Sequence, residues 1–161
     1  VSVTDYLLSI GLTKDENGTI PGINSFPIIV DYHDGTAPVA RAMFALTPEG
    51  YAVCGGDIPV GAALSIGEFD PLEIQDTAKR TLQNVLEESG KSIFLMYSCI
   101  GRYFAQGANP MVEAEGIRDL MKKAGLPYLF AYSGGELCPV YDHNGDVSNR
   151  NHNNTLIICA L

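Results

Sequence analysis

The sequence predicts an α+β fold, a mixed and mostly antiparallel sheet of about six to seven strands with two main helices packed on it. Three observations carry this. Strand-like apolar runs outnumber helical ones. Only two segments repeat their apolar residues at a clear helical period, and both lie between Asp70 and Gly125. Most neighbouring runs are joined by short Gly-, Pro- or Asn-containing links, which favour antiparallel partners. The chain has 161 residues, and single cores serve roughly 100–200 residues. With no repeat and no low-complexity linker, residues 1–161 are expected to form one domain.

VTDYLLSIGL reads as a short helix with Thr4 as its N-cap and Gly11 as its stop. KDENGT is a polar turn around Asn17-Gly18. PIIVDYHDG gives a first strand. VARAMFALTPEGYAVCGGD gives two more, joined by the hairpin loop Thr47-Pro48-Glu49-Gly50. GAALSIGEF gives a fourth. The period then changes. Asp70 as N-cap, Pro71 at the first helical position and Glu73 at the third open a helix that carries Ile74, Ala78, Leu82 and Val85 on one face. Gly90 ends it, and Asp76 is placed to pair with Arg80. Ser92 to Cys99 is a nearly unbroken apolar run, as a strand covered on both faces requires. Asn109-Pro110 opens a second helix with Ala114, Ile117, Met121 and Ala124 inside and Gly125 after its end. YLFAYSGGELCPVYD and NHNNTLIICAL read as two last strands, joined by an Asn-rich loop from His143 to Asn151.

Composition narrows the function. Hydrophobic residues make up 46% and charged residues 18%, which excludes a disordered or fibrous chain. A net charge of −9 argues against nucleic acid and against an anionic membrane face, since both need clustered Lys and Arg. No apolar run approaches the ~20 residues of a membrane span, and no apolar core of a secretory signal is seen. The chain opens on Val1 rather than Met, as a piece of a longer protein would. Cys54, Cys99, Cys138 and Cys159 form no CxxC pair, and His143 and His152 lack zinc spacing, so no metal or other cofactor is expected. The four thiols could make two disulfides. Each lies in or beside an apolar run, and reduced thiols in a cytoplasmic setting are the expectation.

Three clusters could carry chemistry. Ser98-Cys99-Ile100-Gly101-Arg102 lies where the central strand ends, a common ligand position. Gly101 permits close backbone approach, and the Arg102 fork suits a carboxylate or phosphate; the alternative is an arginine paired with a nearby acid. Glu113, in the first turn of the second helix, falls at the edge of its inner stripe. It either complements the helix dipole or meets Arg102 or a cationic ligand group. In Tyr132-Ser133-Gly134-Gly135-Glu136 a glycine bulge could aim Glu136 into a cavity or leave it solvated. In His152-Asn153-Asn154-Thr155, strand alternation would set Asn153 and Thr155 on one face opposite His152. Loop capping is the plain alternative, favoured for Asn154. Asp142-His143-Asn144-Gly145-Asp146 begins like a calcium loop, but Val147 and Asn153 stand where that loop needs Gly and Glu. A Cys99-His152-Glu136 triad is conceivable, but no helix-start signal follows Cys99 to activate the thiol, and no enzyme is expected.

The pieces DYLLSIGL, EGYAVCGGDIPVGAALSIG, SCIGR, YSGGE and HNNTLIICAL, in this order, resemble the C-terminal half of a FIST domain, a sensory module of bacterial signalling proteins and certain eukaryotic F-box proteins. They span nearly the whole chain. The N-terminal half of the two-part module is absent from this sequence. The resemblance implies a cytoplasmic input domain that binds a small molecule, an amino acid or related metabolite. It also implies a linked or associated signalling output partner, with no nucleic acid and no membrane contact by the domain itself. The residues fit a ligand set of Cys99, Gly101, Arg102, Glu113, Tyr132, Gly135, Glu136, His152, Asn153 and Thr155. In it Arg102 would clamp a carboxylate, Glu136 with Glu113 would take an ammonium, and Tyr132, Asn153 and Thr155 would orient the ligand. A ligand-independent protein-interaction module is the alternative, and a Cys-dependent hydrolase the third reading.

Overall fold

The computed structural model describes residues 1–90 and 93–161. Helices and strands are largely segregated along the described residues, with a run of five strands before the longest helix and a run of four at the end, as the α+β class has them. The strands differ from expectation in how they are shared out. Among the described residues they form two three-stranded sheets and two two-stranded ones. The chain divides into two compact units, Val1–Glu68 with Leu137–Asn153, and Phe69–Glu136 with Asn154–Leu161.

In the first unit, helix α1 (Val3–Ser9) is capped by Ser2 and not by Thr4. Ser2 is extended, so its hydroxyl turns back to accept the Asp5 N–H at 3.1 Å, while Thr4 is already buried inside the first turn. Strand β1 (Ile28–Asp31) is the centre of an antiparallel sheet between β2 (Val39–Arg41) and β5 (Ala63–Ile66). The run VARAMFAL does not continue as one strand. It breaks at Ala42, whose N–H donates to the Asn153 side-chain oxygen (3.0 Å) and whose carbonyl accepts the Gly55 N–H (2.9 Å). Beyond this break β3 (Met43–Leu46) pairs with β4 (Ala52–Cys54) across the Thr47–Gly50 turn. Strands β8 (Glu136–Tyr141) and β9 (Val147–His152) form another pair. The long loop expected before the last strand is therefore a short turn. In it the Asp142 carboxylate accepts the N–H groups of Asn144 and Asp146 at 2.8 and 2.9 Å. Ile28 and Val30, alternate residues of β1, pack with Leu7, Val39, Met43 and Val140 in the core. Each such side chain contributes roughly 1.5–3 kcal/mol.

In the second unit, α2 (Pro71–Ser89) starts on Asp70, whose carboxylate accepts the Leu72 N–H at 2.8 Å. Asp76 pairs with Lys79 one turn on, not with Arg80. Strand β6 (Phe94–Cys99) lies between β7 (Tyr128–Ser133), parallel to it, and β10 (Leu156–Ala160), antiparallel. Ser92, which the sequence assigns to the β6 run, lies outside the described residues. A short helix with no sequence signal, α3 (Ile100–Ala105), follows Cys99 directly. Its buried Arg102 and Ala105 tie it to the unit, so tertiary contacts rather than a cap hold it. Helix α4 (Val112–Ala124) begins two residues after Pro110, beyond a turn closed by Val112 N–H to Asn109 carbonyl. Leu82 of α2, Phe94 and Met96 of β6, and Ile117 and Met121 of α4 make the core. Gly134-Gly135 ends β7 instead of bulging a continuous strand, so the predicted YLFAYSGGELCPVYD strand is two. No helix among the described residues is long and apolar enough to cross a membrane.

Candidate functional site

Eight of the ten residues marked from sequence belong to the second unit, and His152 and Asn153 belong to the first. Within the second unit they fall into two networks.

The first network is built on Glu113, which is 2% exposed. Arg102 sits in α3 one turn beyond β6, so its stem runs back into the unit. Its Nε donates to Glu113 Oε1 at 2.8 Å, and one terminal nitrogen makes a second short contact with the same oxygen. That nitrogen also donates to the Ile74 carbonyl at 3.0 Å. Ser98 at the end of β6 donates to Glu113 Oε2 (2.8 Å), and the Glu113 N–H is received by Gln106 Oε1 (3.1 Å). Both carboxylate oxygens, and the Nε and one terminal nitrogen of the guanidinium, are thus bonded inside the fold. Breaking such a pair by removing one partner costs about 3–5 kcal/mol. Tyr132 lies beside it. Burial first, then the Glu113 charge, pushes its hydroxyl up to about 12 against the opposing pull of Arg102.

The second network is built on Glu136, which is 5% exposed. Ser133 and Glu136 flank the Gly134-Gly135 turn, and the turn brings the Ser133 hydroxyl onto Glu136 Oε1. Thr155 donates to Oε2 at 2.6 Å. Among the described residues no Lys or Arg forms a salt bridge with this carboxylate. Cys99 is buried beside it. Burial pushes its thiol up and the charge and hydrogen bond of Glu136 add to this, while the Asn154 and Gly101 N–H groups oppose it. A protonated thiol is a poor nucleophile. None of the four cysteines forms a disulfide among the described residues.

Asn154 adjoins the second network through Cys99, whose sulfur receives its backbone N–H. Asn154 has φ +61°, a conformation asparagine tolerates better than most residues. It is 8% exposed, and neither its side-chain oxygen nor its nitrogen has a hydrogen-bond partner. The amide lies against Gly101, where an added Cβ would sit 2.1 Å from the Asn154 oxygen. Only a glycine permits this approach. Two unmet buried amide atoms cost about 1–3 kcal/mol each.

The left-handed Asn154 also overturns the expected alternation along residues 152–155. Strand β9 ends at His152, and Asn153 and Thr155 do not share a face. Asn153 bonds within the first unit, to Ala42 N–H, while Thr155 bonds to Glu136 in the second. Sequence reasoning passed over Asn154 and Ser133 as site residues. The signal for Asn154 was the second asparagine of an Asn-Asn step at a strand entrance, a place where a positive φ is common. In the first unit, a cleft of about 430 Å³ lined by Thr4, Lys14, Ile20, Phe44 and Thr47 holds none of the marked residues.

Residues 3–139 match the family model described as the FIST C domain. No curated protein and no solved structure matches the chain.

Proposed function

Because the chain belongs to the FIST C domain family, a family of sensory domains in signal-transduction proteins, we propose that it senses a small amine-bearing metabolite, an amino acid or a relative of one, at the Glu136 network. One observation carries this reading: the buried Asn154 amide, with both polar atoms unpartnered, beside a buried carboxylate that has no cation of its own. An ammonium group would supply that cation. Ser133 and Thr155 already fix the carboxylate, so little ordering would remain to be done on binding. The Asn154 amide can donate to and accept from the rest of the ligand. Arg102 and Glu113 serve in this reading as the rigid support under α3, with Tyr132 packed beside them. Binding would order the Asn154 turn and bias a linked or associated output domain in the cytoplasm.

The test is a thermal-shift panel of amino acids and primary amines on the full chain. At least one compound should raise Tm, with a gain of about 2.7 kcal/mol at a hundredfold excess over Kd. Glu136→Gln should abolish that gain. A ligand-independent interaction module predicts no shift with any compound, and a shift that survives Glu136→Gln removes this site from consideration.

A further inference from the structure

We propose that the first unit holds a separate site for a small oxyanion, a carboxylate or phosphate group, in the cleft between Arg41 and Arg150. The cleft has a volume of about 350 Å³ and is lined by Tyr32, Arg41, Gly56, Asp57, Arg150 and Asn151. That lies within the roughly 300–1,000 Å³ typical of small-ligand sites.

Arg41 is 3% exposed and holds four acceptors. Its Nε donates to the Asp57 carbonyl (3.1 Å). One terminal nitrogen donates to the carbonyls of Ala40 (3.3 Å) and Asn151 (2.7 Å), and the other to the Tyr32 hydroxyl (2.6 Å). Every one of these acceptors is neutral. Among the described residues no carboxylate pairs with Arg41. The group is therefore well fixed and uncompensated, and a guanidinium out of water without an opposite charge is a costly element to retain for structure alone. Three carbonyls and the Tyr32 hydroxyl take up four of its five N–H directions, so the charge is preoriented while one donor is left over.

Arg150 brings a second guanidinium to the same cleft. It stacks on the Tyr32 ring, 4.1 Å from the ring centre, and one terminal nitrogen meets Asp34. Its Nε is buried without a partner. Two cations lining one small cleft repel each other unless an anion shares it. Gly56 keeps the other wall open to the backbone: with φ +134°, it lies so that an added Cβ would come 3.1 Å from Arg41 Nε. The acids nearby do not fill this role. Asp34 is taken by Arg150, and Asp57 lends its carbonyl while its residue is exposed on the rim. In a chain of net charge −9 a general attraction for anions is absent, so an anion would come here for these two side chains in particular.

The test titrates the full chain with inorganic phosphate and with acetate, each against sodium chloride at matched ionic strength. Melting temperature and the side-chain N–H resonances of Arg41 and Arg150 are followed. At least one of the two anions should raise Tm beyond chloride and shift both Nε–H signals. Arg150→Gln, which leaves the Arg41 bonds in place, should weaken that anion's Kd about tenfold, the loss of one charge-assisted pair. A response to phosphate alone assigns the site to phosphate-bearing ligands, and a response to acetate assigns it to carboxylates. If neither anion differs from chloride, or if Arg150→Gln binds as tightly as the parent, the proposal is wrong. The resonances of the parent protein decide the matter even should the variant fail to fold. Neither readout involves Glu136 or Asn154, so this site and the amine site stand or fall separately.

Discussion

Among the described residues two arginines are buried, one in each unit, and they are held in opposite ways. Arg102 is met by a carboxylate that is itself bonded on both oxygens. Arg41 is met only by carbonyls and a phenol. The two buried glutamates of the second unit repeat the contrast, since Glu113 has its cation and Glu136 has only hydroxyl donors. A charge whose opposite is built into the fold is fully accounted for as scaffold. A charge buried with neutral partners alone has every reason to recruit its opposite from solution. This criterion underlies both proposals, a cation in the second unit and an anion in the first.

The sharpest way to break this comparison is to remove Glu113. Glu113→Gln keeps the shape and leaves Arg102 buried without a counter-charge, which should cost about 3–5 kcal/mol. Arg41→Met leaves three carbonyls and the Tyr32 hydroxyl unmet, about 1–3 kcal/mol for each that stays dry, but it also removes a buried charge that has no counter-charge, so its net loss should be the smaller one. Both are read from urea midpoints in a buffer free of phosphate and carboxylates, with m unchanged. Equal losses would mean that the two arginines do the same work and would undo the contrast.

The contrast was only half legible in the sequence. Local signals were clear wherever one short stretch sets its own structure: Asp70-Pro71 opens α2, Gly90 and Gly125 close α2 and α4, and Thr47–Gly50 turns a hairpin. The break at Ala42 was invisible because its cause, Asn153, lies 111 residues away, and nothing in VARAMFAL announces it. Helix α3 carries no cap signal because side-chain burial holds it. The same limit governs the sites. The residue types at Arg102, Glu113 and Glu136 were plain, and an arginine–acid pair was one of the open readings. Which acid meets which cation is decided by strand order, and strand order is not written locally. Arg41 attracted no notice at all, since an arginine in an apolar strand run looks like any edge residue until its carboxylate is found to be missing.

A smaller effect sharpens the comparison from the other side. If the Asn154 amide serves a ligand rather than the fold, Asn154→Gly should not destabilise the protein. Glycine accepts φ +61° freely, and two unmet buried atoms disappear. The variant should match the parent or exceed it by up to about 1 kcal/mol, offset in part by the packing lost, while its response to the active amine falls about tenfold. Such exchanges of stability for function are common at binding sites. A clear loss of stability in calorimetry would make Asn154 a structural residue and leave Glu136 to bind alone.

The smallest effect is confined to high pH and concerns Tyr132, which reports on the buried charge beside it. Its hydroxyl is raised from 10.0 to about 12, chiefly by burial and then by Glu113. An acid raised in the folded state binds its proton more tightly there than in the unfolded chain. Its contribution is fully present below pH about 10 and is lost as pH climbs toward 12. Tyr132 is partly open to solvent, so the loss is modest. Parent stability should fall more steeply between these values than that of Tyr132→Phe. Other tyrosines and lysines titrate alike in both proteins and cancel in the difference. Adding Glu113→Gln to each member should shrink that difference, because one of the charges that raises Tyr132 is then gone. Parallel curves for parent and Tyr132→Phe would place the ring in a wetter setting than the Arg102 network requires, and would weaken the case that this network is a sealed scaffold.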